Sequence, residues 1–272
     1  MGSGPWPFFL LALGLSWLFW IPLAVLQVNV WGWPAVAIGA LGLFGPTLAE
    51  TLLLARRSDP ALWRDYRSRL FDPRRIPAPV WAVIALGFPL VNAAALALYV
   101  SGGGSWPAFE TARQLWAEPW RLLPYAAFVL LFGPLPEELG WRGYALDRLQ
   151  RYRSALASSL ILGAVWGLWH LPLFFLPGTY QHDRLGFLSA GFWSFLFGAL
   201  TTSVLFTWVY NRANRSTLAA VLFHFSINLS GELFNLPESA QVYRTALVAL
   251  WAIAIAIAGG PQQNPRGSHR PL

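Results

Sequence analysis

Apolar residues in this chain come in long, nearly unbroken runs, with no strand-like alternation and no heptad spacing. A helix needs about 20 mostly apolar residues to cross the hydrocarbon core of a bilayer. Eight runs qualify: Pro7–Gln27, Pro34–Ala55, Val80–Val100, Leu122–Leu146, Ala155–Leu176, Phe187–Tyr210, Thr217–Leu236 and Val242–Ala258. The pattern predicts an all-α polytopic membrane bundle of eight spans, one domain over residues 1–258. The first run has no basic stretch before it and no small-residue cleavage site after it, so it reads as a retained span. Pro22, Pro46, Pro89 and Pro172 fall inside runs and predict kinks, since neighbouring helices can satisfy the carbonyls a proline frees. Residues 259–272, rich in Gly, Pro and Gln, read as a disordered tail.

The longest polar insertion, Arg56–Pro79, lies between the second and third runs and carries seven arginines. Trp63, Tyr66 and Leu70 recur in it at helical spacing. That predicts an amphipathic helix lying on an anionic leaflet; the plainer alternative is a solvated loop. Arginine counts orient the bundle. Fourteen fall on the side that holds this insertion and both termini, against Arg113, Arg121, Arg184 and Arg244 on the other, with Arg142 inside a span. The positive-inside rule then places both termini in the cytoplasm.

Composition agrees with the runs. The chain is 56% hydrophobic and 11% charged, against about one-quarter charged in soluble domains. Its net charge of +7 is scattered arginine with no basic stripe, which excludes a nucleic-acid groove. There is no cysteine, hence no disulfide framework, thiol nucleophile or thiolate metal site. No internal repeat is visible, which argues against a transporter.

The costliest local feature is Leu135-Pro136-Glu137-Glu138-Leu139-Gly140-Trp141-Arg142, inside the fourth run. A charge at the bilayer centre costs at least about 2.5 kcal/mol, so it defaults to a functional reading. Glu138 and Arg142 are four apart and can pair on one helix face. Glu137 sits roughly 100° around the helix and is free to face a cavity as a base. Gly140 and Gly143 leave room for close helix approach. The fifth run carries His170 in Trp166-Gly167-Leu168-Trp169-His170, and the seventh carries His224 and Asn228 on one face. Singly these read as packing residues or interhelical glue. Together, Glu137, His170, His224 and Asn228 supply what water attack on an amide carbonyl requires: a group to take the proton and donors for the oxyanion. Glu232, one turn past Asn228, lines the cavity or pairs with Arg244. Depth is a difficulty, because a straight fifth helix puts His170 about 22 Å from its cytoplasmic end, and the others about 10 to 16 Å. Tilt, a bend at Pro172, or Gly143–Arg153 lying in the interface would reconcile these.

These residues resemble the CPBP (CAAX protease and bacteriocin-processing) family of intramembrane endopeptidases, which includes the Rce1-like type II CAAX prenyl proteases. The family pattern is Glu-Glu-x-x-x-Arg, then Phe-x-x-x-His, then His-x-x-x-Asn or Asp. Here it stands as Glu137-Glu138-Leu139-Gly140-Trp141-Arg142, as Trp166 to His170 with Trp in the Phe position, and as His224 to Asn228, within Leu122–Leu236. The resemblance implies that Glu137 and His170 activate water, that His224 and Asn228 form the oxyanion site, and that Glu138 and Arg142 support them. It implies a lipid-modified or membrane-associated protein substrate cut near the cytoplasmic face. No metal is favoured, since Asn228 is a poor zinc ligand; the zinc alternative would use Glu137, His170 and His224. The rival outside proteolysis is a membrane scaffold or bacteriocin-immunity protein that keeps the polar core for packing.

Overall fold

A computed structural model describes residues 4–57 and 59–258; the expected tail at 259–272 lies outside the described residues. Every regular element among them is helical. In chain order they are α1 (Trp6–Val25), α2 (Ala35–Leu43), α3 (Gly45–Ala55), α4 (Pro60–Phe71), α5 (Ala78–Ser101), α6 (Glu110–Ala117), α7 (Leu122–Leu131), α8 (Pro134–Gly140), α9 (Asp147–Leu149), α10 (Ala155–Trp169), α11 (Ala190–Arg212), α12 (Thr217–Phe234) and α13 (Glu238–Ile257). A π-helical segment, Trp141–Leu146, joins α8 to α9. Seven continuous helical runs are long and apolar enough to cross a bilayer, and α2 with α3 makes the eighth as one span bent by 49°.

The prolines act as their positions dictate. Pro46 sits in the first turn of α3, just after the bend, where a missing N–H breaks no helical bond. Pro22 and Pro89 stay inside continuous helices. At Pro172 α10 has already ended, and the chain tightens into the 3-10 turn Leu171–Phe175. α6 is an addition the sequence pattern did not predict. Its eight residues are too few and too polar to register as a span.

The helices pack as a closed ring in the order α1, α3, α8, α12, α5, α13, α11, α10 and back to α1. Between apolar helices in lipid, close backbone approach and packing supply the association, because burial from water is not on offer. Gly140 is the tightest case: a Cβ there would meet the Pro46 carbonyl oxygen at 2.5 Å, so α8 and α3 touch only because the residue is glycine. Gly163 does the same for α10, where a Cβ would lie 2.9 Å from the Leu200 Cα. Fully buried rings of Trp141, Trp169, Phe88, Phe206 and Phe223 fill the interior.

α4 forms as an amphipathic helix, with Asp59 accepting from the Ala61 N–H at its start, and its inner face docks on the protein. Tyr66 is buried, and Trp63 and Leu70 pack against the core. The Arg69 guanidinium donates to the Gly143 carbonyl at 2.8 Å and the Tyr210 hydroxyl at 2.9 Å. Arg215 bonds both Asp147, at 2.8 Å, and Asp65, at 3.3 Å. α4 thus clasps the turn between α11 and α12, where Ala213, Ser216 and Thr217 are fully buried.

Trp141–Gln150 is buried without exception, and the apolar helical run of the fourth span continues to Leu149. From Glu137 to Gln150 the chain descends about 20 Å, and from Ser154 to His170 it climbs about 24 Å. The two arms of this hairpin are therefore matched in length.

Candidate active site

The Glu-Glu stretch does not sit in the middle of one regular helix. α7 stops at Leu131, Gly133 interrupts the helical backbone, and α8 restarts with Pro134 and Pro136 in or next to its first turn. Prolines are tolerated there because first-turn N–H groups have no intrahelical partner. Glu137 consequently lies in the first turn of a new helix, where aligned peptide dipoles favour a carboxylate. This lowers the cost of a charge at membrane depth. The π-helical segment that follows carries Arg142 and turns its side chain back onto α8.

The interior polar groups form a connected set. Glu138 and Arg142 are both 0% exposed, and Arg142 Nη1 donates to the two Glu138 oxygens at 2.8 and 3.0 Å. Arg142 Nη2 reaches Ser203 Oγ at 3.2 Å, and its Cζ lies 3.8 Å over the Phe206 ring and 4.9 Å over Trp166. Glu138 has a second partner, His224, whose Nδ1 stands 2.8 Å from Glu138 Oε1. Both Glu138 oxygens accept from Arg142, so the imidazole is the donor at Nδ1.

Trp166 is the hub. Its indole Nε1–H donates to Glu137 Oε2 at 2.6 Å. Its carbonyl accepts from His170 Nδ1 at 2.7 Å. Its ring meets the His170 and His224 imidazoles edge-on, with centroids 5.5 and 5.7 Å apart. A carbonyl can only accept, so His170 carries its proton on Nδ1 and offers the lone pair of Nε2. Glu137 has one oxygen committed to the indole, and Oε1 accepts no bond from the described residues. Glu137, His170 and His224 keep 6%, 8% and 5% exposure respectively, sheltered but not sealed.

Asn228 lies one turn beyond His224 and is half-buried. Its carboxamide faces Gly133, where an added Cβ would come within 3.3 Å of Nδ2. The structure thus brings Glu137, His170 and His224 around one tryptophan, and sets Asn228 beside the backbone break that opens α8. It does not pair Glu232 with Arg244: the Glu232 carboxylate takes the Tyr125 hydroxyl at 3.4 Å, and Arg244 turns to Asn92, with Nε donating to Oδ1 at 3.0 Å. Among the described residues no three His, Asp or Glu side chains gather closely enough to hold a metal ion.

Three contributors were missed from the sequence. Trp166 entered the sequence reading only as the aromatic in the Phe position of the motif, although tryptophan carries a donor that seeks a partner when buried. Ser203, fully buried on α11 after Thr201 and Thr202, carried no motif. The His224 to Glu138 bond joins residues 86 apart in sequence, and no spacing rule could reach it.

Chemically, the set offers a carboxylate with one free oxygen, an imidazole with a free lone pair, and a second imidazole backed by a carboxylate. Comparison with known proteins gives the arrangement its relatives. A family model described as type II CAAX prenyl endopeptidase, Rce1-like, matches residues 119–230, the stretch that carries all three motifs. A curated relative, CAAX prenyl protease 2 of Methanococcus maripaludis, is 32% identical over 219 residues, covering 79% of each chain. This chain belongs to the Rce1-like family of type II CAAX prenyl endopeptidases, a family of membrane-embedded proteases.

Proposed function

We propose that the protein hydrolyses a peptide bond in the C-terminal region of a lipid-modified, membrane-associated protein, with water activated by Glu137 and His170. Glu137 Oε1 takes a proton from water as the water oxygen bonds to the carbonyl carbon; His170 Nε2 accepts a second hydrogen bond from the same water and aims it. The carbonyl oxygen becomes an oxyanion that Asn228 Nδ2 and His224 Nε2 receive. For His224 to donate at Nε2 while Nδ1 serves Glu138, it must be imidazolium, and Glu138 is the counter-charge that permits this. The carbon to nitrogen bond then breaks as Glu137 returns its proton to the departing amine. Arg142 holds Glu138 in place and neutralises it, and so acts through Glu138 and not on the substrate.

The single observation that carries this reading is the Trp166 indole, which fixes Glu137 beside both imidazoles. The reading uses no metal, and the zinc version that would use Glu137, His170 and His224 is its direct competitor. We take the arginine-rich side, with α4 and both termini, as cytoplasmic. The test is cleavage of a farnesylated CAAX-type reporter by purified protein, with and without chelator, alongside Glu137→Ala, His170→Ala and His224→Ala. Loss of cleavage in all three folded variants and indifference to chelator are expected. Full activity in the three variants would overturn the mechanism in favour of a packing role, and chelator inhibition reversed by zinc would overturn its metal-free form.

A further inference from the structure

Arg244 lies inside a span and has no acidic partner among the described residues. The sequence pattern put it at the edge of the last span, but α13 begins at Glu238, so Arg244 lies about 9 Å along the helix axis. Among the described residues it makes no ion pair; its expected partner, Glu232, is bonded to Tyr125. Arg244 Nε donates to Asn92 Oδ1 at 3.0 Å, and Asn92, fully buried, is itself fixed by donating to Ser230 Oγ at 3.0 Å. The Phe88 ring lies 5.5 Å beneath its Cζ. Nε is therefore tied down, the guanidinium plane is held, and the two terminal nitrogens are left facing outward. A charge kept in a span at this cost, steered by a buried asparagine and given no anion, is built to receive one.

Its neighbours sit on the helices that carry the catalytic set, across α12 from Asn228. Ser230, at the end of its hydrogen-bond chain, stands two residues past Asn228 on α12. Thr245, the next residue on α13, bonds Ser194 at 3.2 Å, and the Phe195 ring that follows Ser194 packs on the His170 imidazole at 5.0 Å. Arg244 is thus bracketed by the helix turns that carry Asn228 and His170.

We propose that Arg244 binds the C-terminal carboxylate of the peptide being cleaved, and so measures the distance from the scissile bond to the chain end; this rests on the protease reading above. In a CAAX sequence three residues follow the cysteine. Three extended residues reach about 10 Å, about the width of one helix. A guanidinium with two free terminal nitrogens matches a carboxylate in a bidentate fork. The peptide's far end would be anchored here while its carbonyl meets Glu137.

The test measures binding, so it does not depend on turnover. A farnesylated CAAX-type peptide with a free C-terminal acid and the same peptide as a C-terminal amide are titrated against purified Glu137→Gln protein, alone and combined with Arg244→Met or Arg244→Lys. With Arg244 present the acid should bind tighter than the amide, on the order of 10- to 100-fold, as a charge-assisted pair gives. Arg244→Met should bind both forms alike, and Arg244→Lys should keep part of the preference. Equal binding of acid and amide in the presence of Arg244, a preference that survives Arg244→Met, or no binding of the acid form would each overturn the proposal. A wild-type protein that cleaves neither peptide yet binds the acid selectively would instead count against the protease reading alone.

Discussion

Replacing Trp166 by Phe removes one donor while leaving an aromatic wall, and so isolates what the indole does for Glu137. The bond it deletes is short, 2.6 Å, and ends on a buried carboxylate. Charge-assisted bonds of this kind contribute about 1.5 to 3 kcal/mol. At 1.36 kcal/mol per tenfold, the whole of that appearing in the transition state is about 10- to 150-fold in kcat. The smaller ring also loosens contacts with Phe206 and with the Arg142 guanidinium, for roughly 1 to 2 kcal/mol of stability. The assay is steady-state cleavage of a farnesylated reporter peptide, with thermal unfolding of the same preparations. The indole acts through its bond to Glu137, so kcat should fall by that factor with KM little changed. Wild-type kcat in a folded Trp166→Phe protein would refute the claim that Glu137 is aimed by Trp166, and a rise in KM alone would assign the tryptophan to substrate binding.

Three other perturbations have defined outcomes. Asn228→Ala removes one proposed oxyanion donor and should lower kcat about 100- to 1000-fold without unfolding the protein, read from the same assay. Glu138→Ala strands Arg142 and removes the partner of His224, and should destabilise the fold by about 3 to 5 kcal/mol, measured by denaturant unfolding in detergent; Arg142→Met should be milder than Arg142→Ala because it keeps the volume over Phe206. Arg69→Met cuts the bonds from α4 to Gly143 and Tyr210 and should expose α4 and the α11 to α12 turn to faster hydrogen exchange, while exchange in α1 stays as in the wild type.

The spans were legible because eight apolar runs of sufficient length have no other home than a bilayer, and the Glu138 to Arg142 pair was legible because four-residue spacing on a helix is a local rule. The break at Gly133 and the π-helical segment after Gly140 were not. The π-helical segment is held by distant contacts, with Gly140 pressed on the Pro46 carbonyl and Gly143 bonded to Arg69, whereas the break falls at Gly133, directly before Pro134, a local signal that the run-length reading passed over. The docking of α4 was half legible: its amphipathic face could be read, but whether that face meets lipid or protein depends on Tyr210 and Gly143, which lie on other helices. The Glu232 to Arg244 pairing failed for the same reason. Proximity in sequence suggested it, and the buried Asn92, unremarked in the third run, had the better geometry for the guanidinium.

The central claim is that Glu137 is the group that takes the proton from water, and Glu137→Gln tests it most directly. The substitution keeps the shape of the side chain and can still accept the Trp166 N–H through its carbonyl, but it cannot act as a base. Purified wild type and Glu137→Gln, shown to unfold at the same temperature, are mixed in excess with a farnesylated CAAX-type substrate in a single-turnover experiment, and the released C-terminal peptide is followed by mass spectrometry. The account predicts release by the wild type and a rate about 100- to 10,000-fold lower for Glu137→Gln. Release at the wild-type rate from Glu137→Gln would contradict it.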